Sequence, residues 1–305
     1  MAAVRGPFGQ RVRALLFGAL CSAAAATALA ASGGAELPRA TAALGGFAFP
    51  DLAGSRLMLL GEVGRSFPDN PPFPEMLSAA GTIRTAYCAG GDSHRIAFGG
   101  RQKADGKGNG RQHSYQFEHL DGLVFKLNNA ARLPEHEACF LASEPFARSL
   151  TVVPVVSLTR KSWPPETPAC SASLTKEIAS QRKRAVANCW AIAGSPAHAG
   201  LQVALVEFAR QGKDALASLV VVDGRTTVFA DQQGDAGRSG SVWRVDDGGV
   251  LNPSQFQAVF LARRGGAWVF AVSWRAPEGE SLMLFESDGE TFRQLLQESW
   301  YQMAV

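Results

Sequence analysis

Few side chains in this sequence carry the types and spacing that covalent chemistry needs. Gly91-Asp92-Ser93 follows a strand-like run and would present Ser93 at a turn. A serine nucleophile also requires a histidine base and an acid that orients it, brought together by the fold. The candidate bases are His94, His113, His119, His136 and His198. None of them has an Asp three residues before it, and no Gly-x-Ser-x-Gly occurs. Gly91-Asp92-Ser93 therefore reads as a glycine turn capped by Asp92 and Ser93. An extracytoplasmic hydrolase using Ser93 stays as the alternative function.

Over those three residues the segment resembles the nucleophile block of GDSL-type hydrolases, a family that also places an Asp-x-x-His pair near its C-terminus. Metal sites need clustered His or carboxylates at fixed offsets. His113 and His119 would share a strand face, and Glu135-His136-Glu137 precedes Cys139, but Tyr115 and Phe117 between the two histidines suit the edge of a core. The segment 105–110 follows a calcium loop at its first, fifth and sixth positions. Lys107 places a cation where an oxygen ligand belongs, and the twelfth position is Gln116. No metal and no cofactor is expected, and the chain leans away from being an enzyme.

Binding chemistry is better represented. Residues 99–112 carry Arg101, Lys103, Lys107 and Arg111 on a glycine-rich chain with one acid, Asp105. An electropositive loop of this kind is a candidate surface for an anionic envelope polymer. Trp190, Trp243, Trp268, Trp274 and Trp300 crowd the C-terminal half, where aromatics on a sheet can stack sugars or anchor a protein partner.

The compartment follows from the N-terminus. Arg5, Arg11 and Arg13 precede an apolar, Ala-rich stretch that ends in Ala28-Leu29-Ala30, the order of a secretory signal with its cut after Ala30. A protein that is periplasmic or secreted, with no membrane span after cleavage, is expected. The full chain has 30 Lys+Arg and 27 Asp+Glu, and losing three Arg leaves 27 against 27. That balance argues against nucleic acid as a partner. Cys88, Cys139, Cys170 and Cys189 remain, an even number for an oxidising compartment, and the pairs 88–139 and 170–189 each stay within one domain.

The elements that position these groups read as mainly β, in two antiparallel β domains of meander or sandwich type, with one helix opening the second. Strand-like runs occur at 82–88, 94–98, 114–119, 123–127, 137–142 and 150–158. A three-residue loop over 120–122, with Gly122 left-handed, would pair Phe117 with Phe125 and give one apolar face. Residues 66–74 hold Pro68, Pro71, Pro72 and Pro74 and read as an extended loop. Pro164, Pro165 and Pro168 mark 161–170 as a linker between a domain over 44–160 and one over 170–305.

The single expected helix spans 174–187, capped by Ser173, with Arg182, Lys183 and Arg184 forming a solvated end. Hairpins follow it, and Asp-Gly turns recur without the fixed period a propeller requires. The strand 267–274 alternates large aromatics with small residues and should lie at the centre of the core. These features suit a non-enzymatic binding or interaction module of the cell envelope, its partner an envelope polymer or a protein.

Overall fold

Side-chain alternation along each strand assigns two faces, and in this protein both faces of most strands are apolar, so the layers must stack several deep. The computed structural model describes residues 44–61, 72–128, 132–224, 226–235, 251–276 and 279–302. All lie in one compact unit, Pro38–Val305. The expected export signal over 1–30, Pro68 and Pro71 of the proline-rich segment, and Trp243 fall outside the described residues.

The fold is mainly β and antiparallel. β1 (Gly45–Pro50), β2 (Arg56–Leu60), β3 (Ile83–Cys88), β4 (Asp92–Gln102), β5 (Gly122–Leu127) and β6 (Cys139–Ser143) close into a barrel in the order β1-β2-β5-β4-β3-β6. Alternate residues such as Leu57, Leu59, Ile96, Leu123, Phe125 and Leu141 fill its interior. The helix α1 (Phe73–Ala79) adds Phe73 and Met76 to that core.

A first five-stranded sheet comprises β7 (Thr151–Val153), β13 (Phe256–Arg264), β14 (Ala267–Ala276), β15 (Gly279–Ser287) and β16 (Phe292–Tyr301), in the order β16-β15-β14-β13-β7. The second comprises β8 (Val156–Ser157), β9 (Val186–Gly194), β10 (Leu201–Phe208), β11 (Asp214–Asp223) and β12 (Thr226–Asp235), in the order β12-β11-β10-β9-β8. The two sheets pack face to face: Trp268, Phe270 and Val272 of β14 meet Val203, Leu205 and Leu219 of the second sheet.

The opposite face of β14 carries Val269 and Ala271, which pack with Phe47, Phe140 and Phe260 against the barrel. β14 is thus buried on both faces: its large residues meet the aliphatic side chains of the second sheet, and its small ones meet the phenylalanines of the barrel. α3 (Ala172–Arg182) covers the outer face of the second sheet with Leu174 and Ile178 over Ala204, Val206, Phe208 and Val220. Contacts cross the division at residues 161–170 freely. β7 pairs with β13, and Phe260 rests on both Tyr87, at 5.1 Å between ring centroids, and Phe140, at 5.7 Å.

Several local expectations are corrected. Residues 114–119 form a 3₁₀ turn rather than a strand, because β5 already has β2 on one edge and β4 on the other. The side-chain amide of Gln102 instead donates to the carbonyls of Phe117 at 2.6 Å and Leu120 at 2.9 Å, and Gly122 lies within β5 opposite Leu60. Two helices beyond the expected one occur. In α1, Pro74 occupies the first turn, where proline costs no hydrogen bond. In α2 (Glu144–Ser149), the Ser143 hydroxyl accepts from the Phe146 amide at 3.3 Å.

α3 is capped by Ser171 rather than Ser173: the Ser171 hydroxyl accepts from the Leu174 amide at 3.2 Å. It ends four to five residues early at a left-handed Lys183, φ 49°. Of the basic end only Lys183 is exposed. Arg182 stacks over Phe229, and Arg184 is buried, donating to the Ala209 carbonyl at 2.9 Å and to the Asp214 carboxylate at 2.9 Å. The segment 150–158 also splits, β7 to one sheet and β8 to the other.

Candidate functional site

Cys88 is bonded to Cys139 and Cys170 to Cys189, the pairing expected from the sequence. The first bond does more than staple two strands. It fixes the residues next to its ends, and the Glu137 carboxylate accepts from the Ala89 amide at 2.9 Å. Ala89 and Glu137 form one wall of a groove of about 470 Å³ where the barrel, the sandwich and the segment after β8 converge. Cys88, Glu137 and Cys139 have their sulfur and oxygen atoms within 4.8 Å of one another. The sulfurs are joined, so no thiolate is there to bind a metal.

Thr159, Arg160, Lys161 and Pro165 add to the lining from residues 158–167, an outward loop whose base is pinned. The Leu158 amide donates to the Ile192 carbonyl at 3.0 Å, the Arg160 amide to the Glu166 carbonyl at 2.8 Å, and the Thr159 and Thr167 hydroxyls lie 2.9 Å apart. Its tip carries Trp163, 95 % exposed, followed by a cis peptide to Pro164. A large apolar ring left fully in water on a pinned loop is unusual in a protein that buries its other described tryptophans in whole or large part.

Cations line the groove. Arg160 and Lys161 are exposed and, among the described residues, have no acidic partner. Arg275 enters from β14, donating through Nε to the Glu280 carboxylate at 3.2 Å and through Nη2 to the His136 carbonyl. Glu280 is 2 % exposed and also accepts from the Ser273 hydroxyl at 2.6 Å and the Gln302 amide at 3.2 Å, so Arg275 is held in place. Phe256 forms part of the lining and stacks on Trp274, with centroids 6.0 Å apart. A second cleft, about 520 Å³, lies beside the start of α3, and its one charged side chain is Glu177.

The expected basic surface lies elsewhere on the barrel. Arg101 pairs with Asp121 at 3.3 Å and stacks over Phe73 at 4.8 Å. Lys103 and Lys107 are exposed, and Arg111 is half-buried. The glycine-rich loop is built on side-chain to backbone turns: Asp105 accepts from the Lys107 amide at 2.9 Å and Asn109 from the Arg111 amide at 3.1 Å. The Lys107 amide first, and then His119 at 3.0 Å, hold the Asp105 carboxyl below its usual range. The loop's far end is tied to β16, where the Gln112 amide donates to the Tyr301 carbonyl at 2.8 Å.

Ser93 lies within β4, exposed, opposite Tyr87. His94, the next residue, points to the other face of that strand. Among the described residues, no histidine is hydrogen-bonded to the Ser93 hydroxyl. His113 and His119 do not share a strand face, since a 3₁₀ turn separates them.

Trp163, Lys161 and Arg160 went unread in the sequence because the prolines around them read as a linker. The available signal was an aromatic and a lysine inside a proline-rich stretch that no core requires. His136 and Arg275 are 139 residues apart, and nothing local could have joined them. No family model, curated protein or solved structure matches the chain.

Proposed function

We propose that the protein is an exported binding module of the cell envelope, periplasmic or secreted, that takes an acidic glycan in the groove lined by Arg160, Lys161 and Arg275, with Trp163 on the loop that supplies the first two. One observation carries this reading. Arg160 and Lys161, unpaired among the described residues, stand beside a fully exposed tryptophan on a loop pinned at its base. Cations recognise carboxylates, and an exposed indole offers an apolar face to a sugar ring while its N–H stays wet. Glu137 supplies a carboxylate acceptor for sugar hydroxyls at the same site.

The wider features fit. Two disulfides suit an oxidising compartment, and no helix among the described residues is long and apolar enough to cross a membrane. Calorimetric titration with oligogalacturonate tests the reading. The wild type should bind with an affinity that falls as salt rises, and Arg160→Ala/Lys161→Ala should weaken it by about tenfold or more, the scale of lost hydrogen bonds to charged groups. Equal binding by the double variant would overturn it.

A further inference from the structure

The groove does not end at Arg275. The Arg275 guanidinium holds the His136 carbonyl, and His136 lies beside Glu135, Nε2 to Oε1 at 2.8 Å. Glu135 in turn accepts from the Tyr115 hydroxyl at 3.3 Å, and Tyr115 rests edge-on to His113 with ring centroids 5.8 Å apart. Gln112 next door exchanges two hydrogen bonds with Tyr301: its amide donates to the Tyr301 carbonyl at 2.8 Å and its side-chain oxygen accepts from the Tyr301 amide at 2.5 Å.

Arg275, His136, Glu135 and Tyr115 thus form one run of contacts leading from the groove toward the root of the glycine-rich loop, where Gln112 is buried. Tyr115, 57 % exposed, stands at its far end, and Tyr301, 45 % exposed, lies on the other side of the buried Gln112. Exposed aromatics at both ends of a run of cations and carboxylates do not suit a compact ligand, which would fill the groove alone. The backbone of a phosphodiester DNA chain offers no hydroxyls to Glu135 and Glu137, whereas an acidic sugar chain carries hydroxyls between its carboxylates that donate to them.

Resting on the groove reading above, we infer that the ligand is a polysaccharide. Its chain runs from the groove along this run of contacts, and Tyr115 forms a second stacking subsite.

The test is a titration of the full exported protein with galacturonic acid and with oligogalacturonates of increasing length, beside an uncharged glucan and a single-stranded oligonucleotide. Affinity should rise with chain length in the wild type. Tyr115→Ala should lose about fivefold against the long chain, the scale of one aromatic contact, and nothing against the short one. Tyr115 contributes little to the core, and the wild-type length series stands whether or not the variant folds.

Affinity that is independent of length, with Tyr115→Ala unchanged, would overturn the extended site and leave the groove intact. Failure of every oligogalacturonate to bind would overturn the groove reading itself. Tighter binding of the uncharged glucan would remove the role given to the cations, and tighter binding of the oligonucleotide would replace the sugar chain by nucleic acid.

Discussion

Separating the two disulfides tests whether the Cys88–Cys139 bond serves the groove as well as the fold. In the chain-entropy treatment a cross-link stabilises by restricting the unfolded chain, and more so for a longer loop. The separations are 51 residues for Cys88–Cys139 and 19 for Cys170–Cys189, which correspond to about 4 and about 3 kcal/mol. At roughly 2 to 4 °C per kcal/mol for a domain of this size, Cys88→Ala/Cys139→Ala should lower Tm by about 8 to 16 °C, and Cys170→Ala/Cys189→Ala by somewhat less.

Stability alone thus separates the two variants weakly, while binding separates them well. Ala89 and Glu137, next to the ends of the first bond, line the groove; Cys170 and Cys189 belong to the apolar cluster under α3. The assay is differential scanning calorimetry for Tm and titration with oligogalacturonate at 15 °C, where both variants are folded. Loss of the first disulfide should weaken binding several-fold, and loss of the second should leave it unchanged. Equal effects on binding, or a weaker effect from the first pair, would refute the link between that disulfide and the groove wall.

Arg184→Met should cost about 3 kcal/mol or more, because the buried guanidinium satisfies the Ala209 and Asp214 carbonyls and the Asp214 carboxylate; urea denaturation reads this, and a change within 0.5 kcal/mol would contradict the buried role. His113 gives a pH dependence. Burial first, then the charges of Arg111 and His136, hold its imidazole below the ordinary value of 6.5, against the pull of Glu135.

A histidine depressed in this way favours the neutral ring in the fold. Its contribution is complete above pH 6.5 and is lost as pH falls through the lower folded value. Protonation would also break the bond from the Tyr115 amide to Nδ1, 3.2 Å long. Melting at pH 7.5 and pH 5 should therefore show a loss in the wild type that His113→Gln reduces; an identical pH profile in the variant would refute this. Ser93→Ala should leave oligogalacturonate binding untouched, and loss of a measurable hydrolytic activity in that variant would instead favour a Ser93 enzyme.

The strands that alternate cleanly were legible from the sequence. β14 is the plainest case, because its large residues face the aliphatic side chains of the second sheet and its small ones face the phenylalanines of the barrel. The disulfide pairing was legible for a similar reason: each pair joins segments close in the chain or adjacent in a sheet. Barrel closure was not. The order β1-β2-β5-β4-β3-β6 depends on pairings such as β1 with β6, which no local pattern encodes.

The turn at 114–119 was misread because Tyr115 and Phe117 alternate as a strand would, although both edges of β5 were already occupied. Pro74 stands in the first turn of a helix where the sequence reads as an extended loop, and Pro165, in the segment read as a linker, lines the groove. The groove joins residues near 89, 137, 160 and 275, so its charge pattern exists only after folding.

The most direct measurement is the ¹⁹F spectrum of protein labelled with 5-fluorotryptophan, with the Trp163 signal assigned by Trp163→Phe, during titration with oligogalacturonate. A ligand in the groove should shift or broaden Trp163 in proportion to saturation while Trp190, Trp268 and Trp300, which lie in the packed layers, stay in place. An unmoved Trp163 signal at saturating ligand would contradict a binding site that combines the groove with the Trp163 loop.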